Sequence, residues 1–171
     1  MTTPTPPLYT ASVPVFLHYL DRQRGLLERV RGREEVLGMR LQPDMFTCGQ
    51  QMATATGFAL RVTYPLAGRE EPKLSDPPPD LEGLLARIAE AEEALRALDP
   101  AEFAGAEARR VRHRAGFAVL DQDGATFLHV FGMPNFLFHS SIAFAILRAN
   151  GIEIGKADFD GQHDYPPGFR F

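Results

Sequence analysis

The chain has 171 residues, an apolar fraction of 44% and a formal net charge of −4. That length suits a single domain, residues 1–171, with a full core, and the acidic balance argues against a nucleic-acid binder. The one cysteine, Cys48, excludes an internal disulfide and fits a reducing cytosol, so a cytoplasmic protein is expected.

Residues 1–9 are rich in Pro and Thr and are expected to be extended. The opening "MTTPTPPLYTASV" lacks both the basic start and the apolar core of a secretory signal. Ser12 suits an N-cap, and Pro14 is tolerated in a first turn. Val13, Phe16, Leu17, Leu20, Leu27 and Val30 then keep a helical period, which predicts helix one over about 12–31, with "GREEVLG" as a possible extra turn.

"RLQPDMF" predicts the start of helix two, with Pro43 at its first position and Asp44 at the positive end of the dipole. The helix is expected to reach Leu66. Its inner face is small, with Gly49, Ala53, Thr56, Gly57, Ala59 and Thr63 among Met52, Leu60 and Tyr64, which reads as tight packing. Cys48 falls near its N-terminus, but no histidine stands close in sequence to activate it, so it is not read as a nucleophile.

"AGREEPKLSDPPPD" is a loop stiffened by Pro77, Pro78 and Pro79, and Asp80 caps helix three. Leu81, Leu84, Leu85, Ile88, Leu95 and Leu98 form its apolar stripe, with Glu82, Arg87, Glu90, Glu93 and Arg96 on the wet side. "EARRVRHRAGFAVLDQDGATF" reads as a short β-hairpin. Its basic cluster, Arg109, Arg110, Arg112, His113 and Arg114, has no interleaved aromatics and reads as a solvated strand face. His113 and His163 are expected to be exposed.

Helix four spans about 124–150 and stops at Gly151. From Ala125 to Leu147 it holds no Asp, Glu, Lys or Arg, which is long enough to cross a bilayer. The embedded His129, Pro134, Asn135, His139, Ser140 and Ser141 favour instead an apolar helix at the centre of a bundle, and no membrane is expected. Pro134 removes a backbone donor, so the helix is expected to kink there. Residues 152–171 form a tail that lies over the bundle or reaches a second subunit. There is no Ser-elbow, phosphate loop or HExxH motif.

"MPNFLFHSSIAFAILRANGIEIGK", with "ASVPVFL" near the start and "RLQPDMF" before helix two, resembles a DinB/YfiT-like family, in a branch without an assigned function. The likeness spans about residues 9–161. It implies an all-α four-helix bundle with a small β element before the last helix, often assembled as a homodimer. An excess of apolar helix surface independently favours such an assembly.

Many members of that superfamily bind a divalent metal through three histidines, one from helix two and two from the last helix, one turn apart. Here Asn135 and His139 stand four apart on one face and match the last pair, but the first is asparagine. Helix two has no histidine, and Gln50 and Gln51 are its nearest substitutes. Amide oxygens are weak ligands for zinc or nickel. The expectation is therefore a polar pocket of Gln50, Gln51, Asn135 and His139 that takes a small molecule or serves interaction, without a metal. Within that pocket His139 reads first as a core histidine with bonded nitrogens, and Asn135 as repair of the backbone at Pro134. The alternative is a metal-dependent hydrolase or thiol S-transferase in which His139 acts with His18 or His129 on zinc or nickel.

Overall fold

The computed structural model describes residues 4–166 and 168–169. Four long helices make a bundle beside one β-hairpin. The segment 1–9 is expected from its sequence to be extended, but from Pro7 the chain forms a single helical turn, α1 (Pro7–Thr10). Helix α2 (Val13–Glu28) follows, with Pro14 in its first turn. Ser12 occupies the cap position without capping, because its buried hydroxyl donates back to the Leu8 carbonyl instead. "EEVLG", Glu34–Gly38, is a 3₁₀ turn, as the sequence suggested.

Helix α3 (Cys48–Leu66) begins later than Pro43. The Thr47 hydroxyl accepts from the Gln50 amide at 3.2 Å, and Gln50 Oε1 accepts from the Thr47 amide at 2.9 Å. This reciprocal capping box satisfies two donors at the helix end that would otherwise lack partners. Pro43 and Asp44 instead lie in turns leading to it. The Asp80 carboxylate caps α4 (Leu81–Arg96) by accepting from the Gly83 amide at 2.8 Å.

Leu81, Leu84, Ile88 and Leu95 of the α4 stripe are buried and Leu85 partly so, and Glu92 is buried with them at 4% exposure. A buried carboxylate needs partners. Arg24 of α2 reaches it at 2.8 Å and Arg96 at 3.3 Å.

Strands β1 (Arg110–Ala115) and β2 (Ala118–Asp123) pair antiparallel, with Val111 opposite Gln122 and His113 opposite Leu120. His113 is half-buried rather than exposed. Its ring lies 4.8 Å from Phe127 and 4.2 Å from Phe131, and Nε2 meets Gln122 Oε1 at 2.9 Å.

The last long helix runs Gly124–Ala149 without interruption. It comprises α5 (Gly124–Thr126), a π-helical turn at Phe127–Gly132 and α6 (Met133–Ala149). Pro134 stands two residues after the widened turn. It has no N–H to donate, so the regular ladder cannot pass through it. The break is a change of pitch rather than a stop.

Gly132 belongs to this turn, where a Cβ would fall 2.5 Å from Val62, so α3 and the π turn touch through a bare backbone. Helix α6 packs most extensively against α3, and α3 in turn against α4. Phe16, Leu20, Leu27, Met52, Leu60, Ile88, Leu95, Phe127, Leu128 and Phe136 are fully buried. Each contributes about 1.5–3 kcal/mol through removal of its side chain from water.

The Gly124–Ala149 helix is not enclosed all round. Only a third of its most apolar window is buried, and Val130 and Phe138 are 67% and 54% exposed. By length and composition alone it is apolar enough to cross a bilayer. The tail adds α7 (Lys156–Asp160), which packs on α2.

Candidate functional site

Of the four residues expected to share a pocket, two meet. His139 Nδ1 lies 2.6 Å from Gln51 Oε1. With Gln51 presenting its carbonyl oxygen, Nδ1 donates and Nε2 holds the lone pair. Nε2 has no partner among the described residues. Burial holds the imidazole below its ordinary pKa, because desolvation penalises its charged form. The ring is stacked between Phe46 at 6.3 Å and Phe58 at 5.7 Å, with Phe138 edge-on at 5.2 Å.

Asn135 and Gln50 are engaged elsewhere. Asn135 Nδ2 donates to the Phe131 carbonyl at 2.7 Å and serves the backbone that the π turn and Pro134 disturb. Gln50 closes the capping box of α3, and its side chain also lines a cavity of about 320 Å³ between α3, α4 and the proline strap. Phe46, Ala53, Asp76, Pro77, Leu84 and Arg87 line the same space. Arg87 is fixed across it by donating to the Ala53 carbonyl at 3.3 Å. Phe46 is the shared wall, since one ring borders the cavity and stacks over His139.

The metal alternative requires His139 to meet His18 or His129, and the structure brings neither to it. His18 Nε2 is bonded to the Asp160 carbonyl at 2.7 Å, beside α7. His129 is exposed. Among the described residues no three His, Cys, Asp or Glu side chains come together as a metal would need. The donor chemistry agrees: one imidazole remains, the Gln51 amide oxygen is taken by Nδ1, and Asn135, whose Nδ2 serves the Phe131 carbonyl, offers only a neutral amide oxygen. This set does not fit a divalent ion.

Cys48 is buried, with its sulfur 3.7 Å from the Ala143 carbonyl, and burial pushes its thiol up to about 12. That is the opposite of an activated nucleophile.

Phe46 and Phe58 were not singled out by sequence reasoning. Phe58 falls on the α3 face that carries Gln51 about two turns earlier, but Phe46 precedes the helix and carries no periodic signal.

The fold has a counterpart in a solved structure. The crystal structure of a DinB family member protein from Shewanella denitrificans superposes with a TM-score of 0.80 at 28% identity, covering 93% of this chain and 94% of that one. No protein of curated description matches. A domain family described as of unknown function, DUF1993, matches residues 8–160. Both findings support the DinB-like superfamily. Almost the whole bundle is matched, so this chain belongs to the DUF1993 family.

Proposed function

We propose that this protein is a small-ligand binding or interaction module without a catalytic metal, working as a cytoplasmic homodimer and off the membrane. The ligand pocket is the cavity walled by Phe46, Gln50, Leu84 and Arg87, with the His139–Gln51 pair behind the Phe46 ring. One observation carries this reading. The most chemically capable side chain in the region, His139, keeps a free Nε2, but among the described residues no two further His, Cys, Asp or Glu side chains join it to complete a metal site.

The cavity supports a ligand of modest size. Its volume, about 320 Å³, falls at the low end of small-molecule sites. Its walls are apolar at Pro77, Pro78, Leu84 and Phe46, with polar groups at Gln50, Asp76 and Arg87. A compact molecule with an apolar body and one or two polar groups matches that lining.

Two measurements test the reading. Elemental analysis of the purified protein is expected to find no stoichiometric metal; zinc, nickel or manganese lost on His139→Gln would replace this reading with the metalloenzyme one. Ligand-detected NMR against a library of small polar aromatics and amides is expected to give hits that vanish in Leu84→Trp, which fills the cavity. Hits unaffected by Leu84→Trp would place the site elsewhere.

A further inference from the structure

Four buried polar side-chain atoms among the described residues lack a hydrogen-bond partner: Arg22 Nε, Gln23 Oε1, Ser140 Oγ and His113 Nδ1. The first three belong to residues that line one narrow cavity between α2, α3 and α6. Buried polar groups are rarely left unpaired. Three such groups around one cavity therefore point to an occupant.

Each has a definite reason for its place. Gln23 is 4% exposed, and its amide nitrogen is committed to the Met52 carbonyl at 2.9 Å and to Thr56 Oγ1 at 3.4 Å. Oε1 is what remains. Ser140 is 8% exposed and follows His139 about 100° further around α6. The Arg22 guanidinium pairs with Asp21 through Nη2, which leaves Nε over.

The rest of the lining is largely apolar, with Leu26, Met52, Ala143 and the rings of Tyr19 and Phe159. Phe159 comes from α7 and is seated between Tyr19 at 5.8 Å and Phe144 at 5.6 Å. Gly161, at φ 65°, lets the tail lie directly on Arg22, where a Cβ would stand 3.0 Å from Cδ.

The occupant is limited by size and by chemistry. The cavity offers about 10 Å³ to the centre of a water-sized molecule, which is room for about one water. Arg Nε–H only donates, a glutamine oxygen only accepts, and a serine hydroxyl does both. A metal cation would meet the arginine, and an anion would meet the glutamine oxygen. We propose that the cavity is a binding site for one water molecule, which accepts from Arg22, donates to Gln23 and exchanges a third bond with Ser140. That water clasps α2 and α6 together beneath α7, so the docking of the C-terminal tail depends on a hydrated core.

A high-resolution crystal structure of the full chain is expected to show one density peak within hydrogen-bond distance of all three atoms. Ser140→Ala, a small change that leaves the fold intact, is expected to speed amide hydrogen exchange at Phe159 and Gly161 several-fold while leaving the hairpin amides unchanged. The proposal is overturned if the cavity is empty, if the three side chains bond one another directly, or if exchange in α7 is unmoved by Ser140→Ala.

Discussion

His139 and Gln51 stand 88 positions apart in sequence and 2.6 Å apart in space, and their hydrogen bond joins the middle of α6 to the first turns of α3. It fixes the imidazole at the interface that carries the most extensive packing in the bundle. The bond is made by a neutral ring, because burial lowers the histidine pKa and an amide offers no charge to raise it.

A pH dependence follows from that lowered pKa. The unfolded chain takes up a proton at the ordinary histidine value, about 6.5, before the folded one does. The contribution of His139 to stability is therefore complete above about pH 6.5 and is lost as the pH falls from there through the folded value. Urea titrations are expected to show this loss in the wild type and a smaller one in His139→Gln. Gln51→Glu is expected to raise the His139 pKa, read from its ring proton by NMR. An unchanged value would mean that the pair is not formed in solution.

The beginning of α3 gives a contrast between neighbouring residues. Thr47→Ala removes one half of the capping box and is expected to destabilise the protein by about 1 kcal/mol. Pro43→Ala lies outside the helix and is expected to change stability by less than about 0.5 kcal/mol. Chemical denaturation that ranked the two the other way would move the helix start back to Pro43.

Cys48 is expected to be silent towards thiol reagents in the native protein at pH 8, since burial pushes its thiol up to about 12. Full reaction is expected only in denaturant. Rapid native labelling would show that the α3–α6 interface opens.

Val130 and Phe138 are the most exposed large apolar residues of the long helix. If this face forms the proposed homodimer, Phe138→Glu is expected to shift sedimentation from dimer to monomer without loss of helix content. A wild-type protein that sediments as a monomer at micromolar concentration would remove the dimer from the proposal.

Much of the bundle could be read from the sequence because it is written locally. The stripe of Leu81, Leu84, Ile88 and Leu95 has one meaning, and Asp80 ahead of it has one use. The start of α3 was less legible because two N-terminal signals compete within five residues. "Pro-Asp" and the capping pattern Thr47-x-x-Gln50 are both present, and only the second has its reciprocal partner.

The site was partly legible for a related reason. Asn135 and His139 share a face by spacing, but spacing does not say whether a side chain turns to the core or back to its own backbone. Gln50 and Gln51 differ by about 100° around α3, and packing against α6 decides which one meets the histidine. Phe46, Glu92 and the buried side of His113 depend on contacts between distant segments, which periodicity does not encode.

The π turn at Phe127–Gly132 works as a phase adjuster between the two ends of one helix. A residue accommodated in a widened turn offsets all that precedes it by about 100° relative to all that follows. The hairpin and Phe127 are aimed by the first half, and His139 and Ser140 by the second. Loss of one residue within the turn would leave both halves helical yet swing the hairpin and Phe127 together around the helix axis, away from Arg61 of α3, which donates to the Arg114 carbonyl. The spacing between Gly124 and Met133 is thus itself a constraint on this chain, whichever side chains fill it.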